Sequence, residues 1–254
     1  MTFDYFTMLN PKPIFINGLG TLNKTKLIDI AEVTYPAYKS FLSMLLLDLA
    51  TLYKSANLQK YEWYMSLDDE QKNELSLYDE IISNESLQRD YVNSFNFFIK
   101  ENVDYDKENS CFIVSINNEN SSSVIGCITK ETFPHVCRTI LELHRISTKK
   151  PKKKVFKNKL AERVWKMTHK EDSENVENVK LDLGNLISSL ASFNKGCNII
   201  NIWEMTVFQL YDQFQREDYN VYYNISSRSV SIWGDKENKH DFSKWYENIF
   251  ADLD

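Results

Sequence analysis

The feature that most restricts this 254-residue chain is its shortage of turn-forming residues, with six glycines and five prolines. Average usage of roughly 7% Gly and 5% Pro would supply about three times as many. Turn-rich folds such as sandwiches and propellers need these residues at their corners, because Gly reaches positive φ at no steric cost and Pro presets a turn. Long helices joined by few turns do not. With 43% hydrophobic side chains there is material for a sizeable core, and the expected class is mainly α.

The pattern along the chain refines this. Pro13-Ile-Phe-Ile16 reads as a short strand ended by Asn17-Gly-Leu-Gly20, followed by helices over Lys24–Val33 and Tyr35–Lys54. In the second helix Phe41, Leu45, Leu49 and Leu52 form one stripe, the mark of an amphipathic helix. Ser66-Leu-Asp-Asp69 reads as a capping box opening a helix to about Ile82, and Asn84 caps another through Phe98, since such side chains satisfy orphan amides of a first turn. The helical period then ends. Cys111–Ile116 and Ser123–Ile128 are β-branched runs joined by a polar loop, the signature of a β-hairpin. Helix resumes over Phe133–Arg145, with Pro134 tolerated in the first turn.

Between Lys149 and Lys170 the charge reverses: ten Lys or Arg stand against one acid, Glu162. That leaves 20 basic and 35 acidic residues elsewhere, a net of −15 within a chain whose overall charge is −6. Thr148–Asn158 reads as linker, Lys159–His169 as helix and Lys170–Lys180 as acidic linker. Leu181–Phe193 has helical periodicity closed by Asn194-Lys-Gly196. Thr206-Val-Phe-Gln209 is a second capping box, and Trp203, Val207, Leu210 and Phe214 form an apolar stripe. Ser229–Gly234 reads as a helix break, and Asp241 as the cap of a last short helix carrying Phe242, Trp245 and Ile249. The expected organisation is a mostly helical domain over 1–147 with a β-hairpin at about 111–128. A basic then acidic connector with a short helix follows over 148–180, and an aromatic-rich helical bundle over 181–254.

Chemistry is sparse. Cys111, Cys127, Cys137 and Cys197 contain no close pair, and the four histidines are scattered, so no zinc-ligand spacing exists. The cysteines read as buried reduced thiols. Gly18-Leu-Gly-Thr-Leu-Asn-Lys-Thr25 has Asn23 before the lysine, where a phosphate loop needs Gly; it reads as a strand-to-helix turn. No G-x-S-x-G occurs, and Cys137 and His135 point apart on one helix. Glu131 with Glu142, and Asp68 with Asp69, are explained by capping and solvation. No enzyme, cofactor or metal is expected.

The basic segment, with Lys150, Lys152, Lys153, Lys154 and Lys157, reads as a docking or linker element. Lysines at this density would bind phosphates in a salt-dependent way, but Phe156 and Trp165 are its only aromatics, too few for base stacking. Nucleic acid is therefore the disfavoured partner. No apolar run approaches a membrane span: Phe41–Ala50 is short and carries Asp48. Asp4 stands where a signal peptide needs basic residues. Export and membrane insertion are not expected. The C-terminal aromatics exceed what a small bundle core needs, and Trp203, Phe208, Tyr211, Trp233 and Trp245 are the candidate partner-binding residues, because Trp and Tyr are enriched at interfaces.

Several segments together resemble a known family. They are Asn201-Ile-Trp-Glu-Met-Thr-Val-Phe-Gln-Leu-Tyr-Asp-Gln-Phe214, Ser229-Val-Ser-Ile-Trp-Gly234 and Asp241-Phe-Ser-Lys-Trp-Tyr-Glu-Asn-Ile249, with Gly18-Leu-Gly-Thr-Leu22, Lys26-Leu-Ile-Asp-Ile30 and Lys157-Asn-Lys-Leu-Ala-Glu-Arg-Val-Trp165. The set is similar to a tail-module, tail-assembly-chaperone-like protein family of tailed phages and prophages of low-GC Gram-positive bacteria. The resemblance implies a non-enzymatic role in tail morphogenesis in the host cytoplasm, most simply as a chaperone of the tape-measure protein, with the tail tube protein as a further partner. The acidic body and its one basic arm also suggest head-to-tail self-association. The alternatives are a structural piece of the finished virion tail and a nucleic-acid-binding accessory protein using Lys149–Lys170. The resemblance carries over no catalytic residue.

Overall fold

The computed structural model describes residues 3–118, 121–146, 182–193, 196–235 and 240–247. They divide into two compact units. One takes in the residues up to 146 together with Trp203–Gln209, and the other the described residues within Lys149–Ile202 and Leu210–Glu247. The class is mainly α, as expected, with a two-stranded hairpin and a three-stranded sheet, both in the first unit.

The first unit opens with α1 (Tyr5–Leu9), whose first turn is capped by the Asp4 carboxylate. The expected strand-to-helix turn is instead a hairpin: β1 (Ile14–Ile16) pairs antiparallel with β2 (Gly20–Leu22), and Gly18 turns the corner at φ +78°. Helices α2 (Leu27–Val33), α3 (Tyr35–Leu45), α4 (Leu49–Ala56), α5 (Leu58–Ser66), α6 (Asp69–Glu74), α7 (Leu77–Ile82) and α8 (Glu85–Phe98) follow.

Two expected helices are broken. The helix expected over Tyr35–Lys54 stops at Leu45, because Asp48 is extended and its carboxylate accepts from the Thr51 amide at 2.7 Å, starting α4 afresh. The apolar stripe through Leu49 concealed an N-cap within it. The helix expected up to Ile82 is interrupted at extended Leu75 and Ser76. Its box is made by Asp68 and Gln71, not Ser66, whose hydroxyl bonds back to the Trp63 carbonyl. Asn84 caps α8 as read.

β3 (Asn102–Asp106), β4 (Cys111–Asn118) and β5 (Ser121–Ile128) form an antiparallel meander. The hairpin was expected; β3 was not, because Asn-Val-Asp-Tyr-Asp is acidic and poor in β-formers. Its pairing with β4 and the Asn96 side chain, which accepts from the Val103 amide and donates to its carbonyl, hold it in place. α9 (Phe133–Leu143) closes the unit. Tyr91, Phe95 and Phe98, on one face of α8, are fully buried. Edge-on ring contacts link Tyr91 to Phe133 and Phe95 to Phe112 at 5.3 and 5.4 Å. Such rings dominate the burial energy of a small core, with roughly 0.5–1.5 kcal/mol per well-oriented pair beyond area.

The second unit contains α10 (Leu183–Phe193), most of the 27-residue α11 (Val207–Trp233) and a 3₁₀ turn over Phe242–Trp245. The expected break at Ser229 is absent, and α11 runs through to Trp233. The Ser231 hydroxyl donates to the Ser227 carbonyl at 2.8 Å, the back-bond by which serine is tolerated inside a helix. Gly234, at φ +75°, ends it, with its amide donating to the Val230 carbonyl, as a glycine C-cap does. The Thr206–Gln209 capping box opens α11 as read, and Asp241 caps the final turn. The expected basic connector, Asn194 and Lys195 of the expected C-cap, and Ile249 lie outside the described residues.

Candidate functional site

The motif that invites a phosphate reading is engaged otherwise. Lys24 is buried, and its ammonium donates to the carbonyls of Thr7 and Asn10 at the end of α1. Burial lowers its pKa, against the pull of Asp4. The hairpin it follows is tied down elsewhere as well. Glu101 accepts from the Thr21 hydroxyl at 2.6 Å and amide at 2.7 Å. Burial raises the Glu101 pKa, but these hydrogen bonds outweigh it and hold the carboxyl below its ordinary value.

His144 is enclosed by the first unit, with Nδ1 2.7 Å from the Ile140 carbonyl and Nε2 2.9 Å from the Thr25 hydroxyl. Nδ1 therefore donates, and Nε2 accepts from Thr25. Burial pushes the imidazole down to about 4, although the Ile140 carbonyl pulls the other way. Thr25 in turn accepts the Val207 amide through its carbonyl, and Leu27 donates to Met205. His144 thus braces the segment that holds the start of α11.

Of the other reactive candidates, the Cys111 and Cys127 thiols meet across β4 and β5, and the rest stay apart. Cys137 is buried, which pushes its thiol pKa far up, whereas His135 is exposed. Glu131 accepts from Thr129, and Glu142 pairs with Arg138. Cys111 and Cys137 are buried as read, but Cys127 is exposed and Cys197 half-buried. Cys127 lies opposite Ile113 on the solvent side of β5, a face that the β-branched run did not distinguish from the core side. Among the described residues no group of three or more His, Cys, Asp or Glu is placed to hold a metal, and no helix is long and apolar enough to cross a membrane.

The aromatic candidates separate. Phe208 is not available to a partner: it is 3% exposed, 6.4 Å from the Tyr5 ring and under the Arg145 guanidinium. Its position within a capping box puts it on the inward side of the first turn. Trp203 and Tyr211 are half-buried, Trp203 in the first unit and Tyr211 in the second. Trp233 and Trp245 are 79% and 46% exposed. The Trp245 ring lies 5.8 Å from Tyr223 of α11 and 5.6 Å from Tyr246, and its carbonyl accepts from Arg216 at 3.0 Å. The final 3₁₀ turn is therefore fixed on α11 while its aromatics remain accessible.

Tyr246, one of the surplus C-terminal aromatics, is also exposed, as are Ile200, Val221, Ile225 and Ile232, which the sequence did not single out. For the last three a signal existed, a 4, 7 spacing along α11, but the expected break at Ser229 cut across it. Lys150, Lys152, Lys153, Lys154 and Lys157 lie outside the described residues.

Residues 168–250, which contain the whole exposed surface on α11 and the final turn, match the family model of the YomV second domain. That family name is associated with phages and prophages, so over these residues the chain is similar to a phage protein family. No curated protein and no solved structure matches.

Proposed function

We propose that this protein is a non-enzymatic phage tail morphogenesis factor, a tail assembly chaperone that covers the tape-measure protein before the tube polymerises round it. The observation that carries the reading is the exposed set Trp233, Trp245 and Tyr246, inside the segment similar to a phage family. Single exposed apolar residues are ordinary, but the adjoining Trp245 and Tyr246 rings, fixed on α11 through Tyr223 and Arg216, favour binding, because large rigid rings give contact area at low entropic cost. A tape measure presents apolar helix faces until assembly, and helix-in-groove or helix-on-helix docking is the recognition mode that covers them. In this reading the protein acts in the host cytoplasm and leaves before the tail is complete.

Co-expression with the tape-measure protein encoded nearest to it, followed by size-exclusion chromatography with light scattering, tests the reading. Co-elution, with the tape measure soluble only in its presence and released by Trp233→Ala and Trp245→Ala, is the expected result. A tape measure that stays insoluble while this chain elutes alone overturns it. Detection of the chain in purified virions would then favour a structural piece of the tail.

A further inference from the structure

The second half of α11 carries a seam that is complementary to itself. Phe214, Asp218, Val221, Ile225, Arg228 and Ile232 recur at alternating spacings of four and three, the heptad rhythm that keeps one stripe facing a partner helix. Asp218, Val221, Ile225, Arg228 and Ile232 are all exposed, the last at 70%, and Phe214 is half-buried. The final 3₁₀ turn does not cover this stripe. It packs on Tyr223 and Arg216, which at 3.6 residues per turn lie on the opposite side of the helix from Val221 and Ile225. Neither Asp218 nor Arg228 has an ion-pair partner among the described residues.

We propose that this stripe pairs antiparallel with the same stripe of a second copy of the chain, about a two-fold axis level with Tyr223. In that register Arg228 of each copy faces Asp218 of the other, Val221 faces Ile225, and Phe214 faces Ile232. The charges select this arrangement. A parallel pair sets Arg228 against Arg228 and Asp218 against Asp218 inside an apolar seam, which is repulsive, whereas the antiparallel pair converts both into attractions. The flanking positions add no like-charge contact: Tyr222 lies beside Tyr222 of the second copy, and Glu217 beside Ser231. An isologous contact of this kind closes on itself and stops at two. The seam is about 27 Å long at 1.5 Å per residue, and a pair of helices over five turns buries on the order of 1,000 Å², the lower range for a specific interface, so the dimer is reversible. It stands independently of the chaperone reading, since tape-measure binding can hold without it and fail with it.

Sedimentation equilibrium of the full chain across a concentration series tests the pairing. The expected result is a shift from 29.9 kDa towards twice that mass in the micromolar range. Arg228→Asp alone and Asp218→Arg alone each create two like-charge contacts per dimer and weaken it by about tenfold. The double variant Asp218→Arg/Arg228→Asp restores wild-type association. Because both positions are exposed, circular dichroism of all three variants matches wild type. A monomer throughout the series overturns the proposal, as does a dimer indifferent to the single reversals or not rescued by the double.

Discussion

Replacing Gly126 by Ala is the most incisive test of how the first unit is assembled. Gly126 lies in β5 with an ordinary negative φ, so alanine meets no backbone strain there. Its Cβ would nevertheless sit 2.3 Å from the carbonyl oxygen of Gly18, 2.5 Å from the carbonyl carbon and 2.8 Å from the Leu19 nitrogen. All three are backbone atoms, so no side-chain rotation relieves the clash and the β1–β2 hairpin must withdraw as a body. Withdrawal breaks the hydrogen bond from the Cys127 amide to the Gly18 carbonyl, 3.0 Å long, a loss of about 0.5–1.5 kcal/mol. Displacing tightly packed backbone costs about 1–3 kcal/mol more, while the smaller unfolded-state entropy of Ala returns about 0.4–1. The net expected destabilisation is about 2–3 kcal/mol. At Gly18 the situation is reversed: φ is +78° with nothing within 4 Å of an added Cβ, so Gly18→Ala costs only the left-handed penalty of about 1–2 kcal/mol. In urea unfolding followed by circular dichroism, with a slope of about 2–3 kcal/mol per molar, Gly126→Ala lowers the midpoint by about 1 M and by more than Gly18→Ala. An unchanged midpoint for Gly126→Ala, or the opposite ranking, would refute the close approach.

Other outcomes follow from the same geometry. His144 folds as the neutral imidazole with its pKa lowered to about 4 by burial, so its stabilisation is complete above the unfolded value near 6.5 and lost as pH falls from there towards 4. Stability therefore declines below pH 6.5 by about 1.4 kcal/mol per pH unit, about 0.5–0.7 M in the urea midpoint, and His144→Gln, less stable at neutral pH, has a shallower slope; equal slopes would sink the assignment. Phe208→Ala, emptying a buried site, lowers stability by about 3–5 kcal/mol, whereas Trp233→Ala stays within about 0.5 kcal/mol in thermal unfolding. Removing the hydroxyl that caps α11, by Thr206→Ala, costs about 1 kcal/mol, measurable in the same melts. With a maleimide under native conditions, mass spectrometry finds label on exposed Cys127 well before Cys137, which reacts only in denaturant.

Local chemistry was legible at several helix starts, although an apolar stripe hid the Asp48 cap and Ser66 stood in for the Asp68–Gln71 box. Asn84 and Thr206 are N-caps in the structure as in the sequence, because a short polar side chain and the amides it satisfies are neighbours. The hairpin of β4 and β5 survives for a similar reason, as does the tolerance of Pro134. The candidate surface was only half legible. Aromatic content announced an interface, but content does not say which rings face inward: Phe208 and Trp233 belong to the same helix and have opposite fates.

The mainly helical class, the caps and the place of the β-hairpin were determined by the sequence alone, since few glycines and prolines leave helices as the economical solution. Tertiary structure decided the rest. β3 exists because β4 and Asn96 pair with it, although three of its five residues are Asn or Asp, which are depleted in strands. Gly126 matters through Gly18, more than a hundred residues earlier. His144 is neutral because burial against Tyr38, Phe98 and Thr25 takes it out of water. Burial, close approach and strand pairing are properties of two surfaces meeting, which no single stretch of sequence contains.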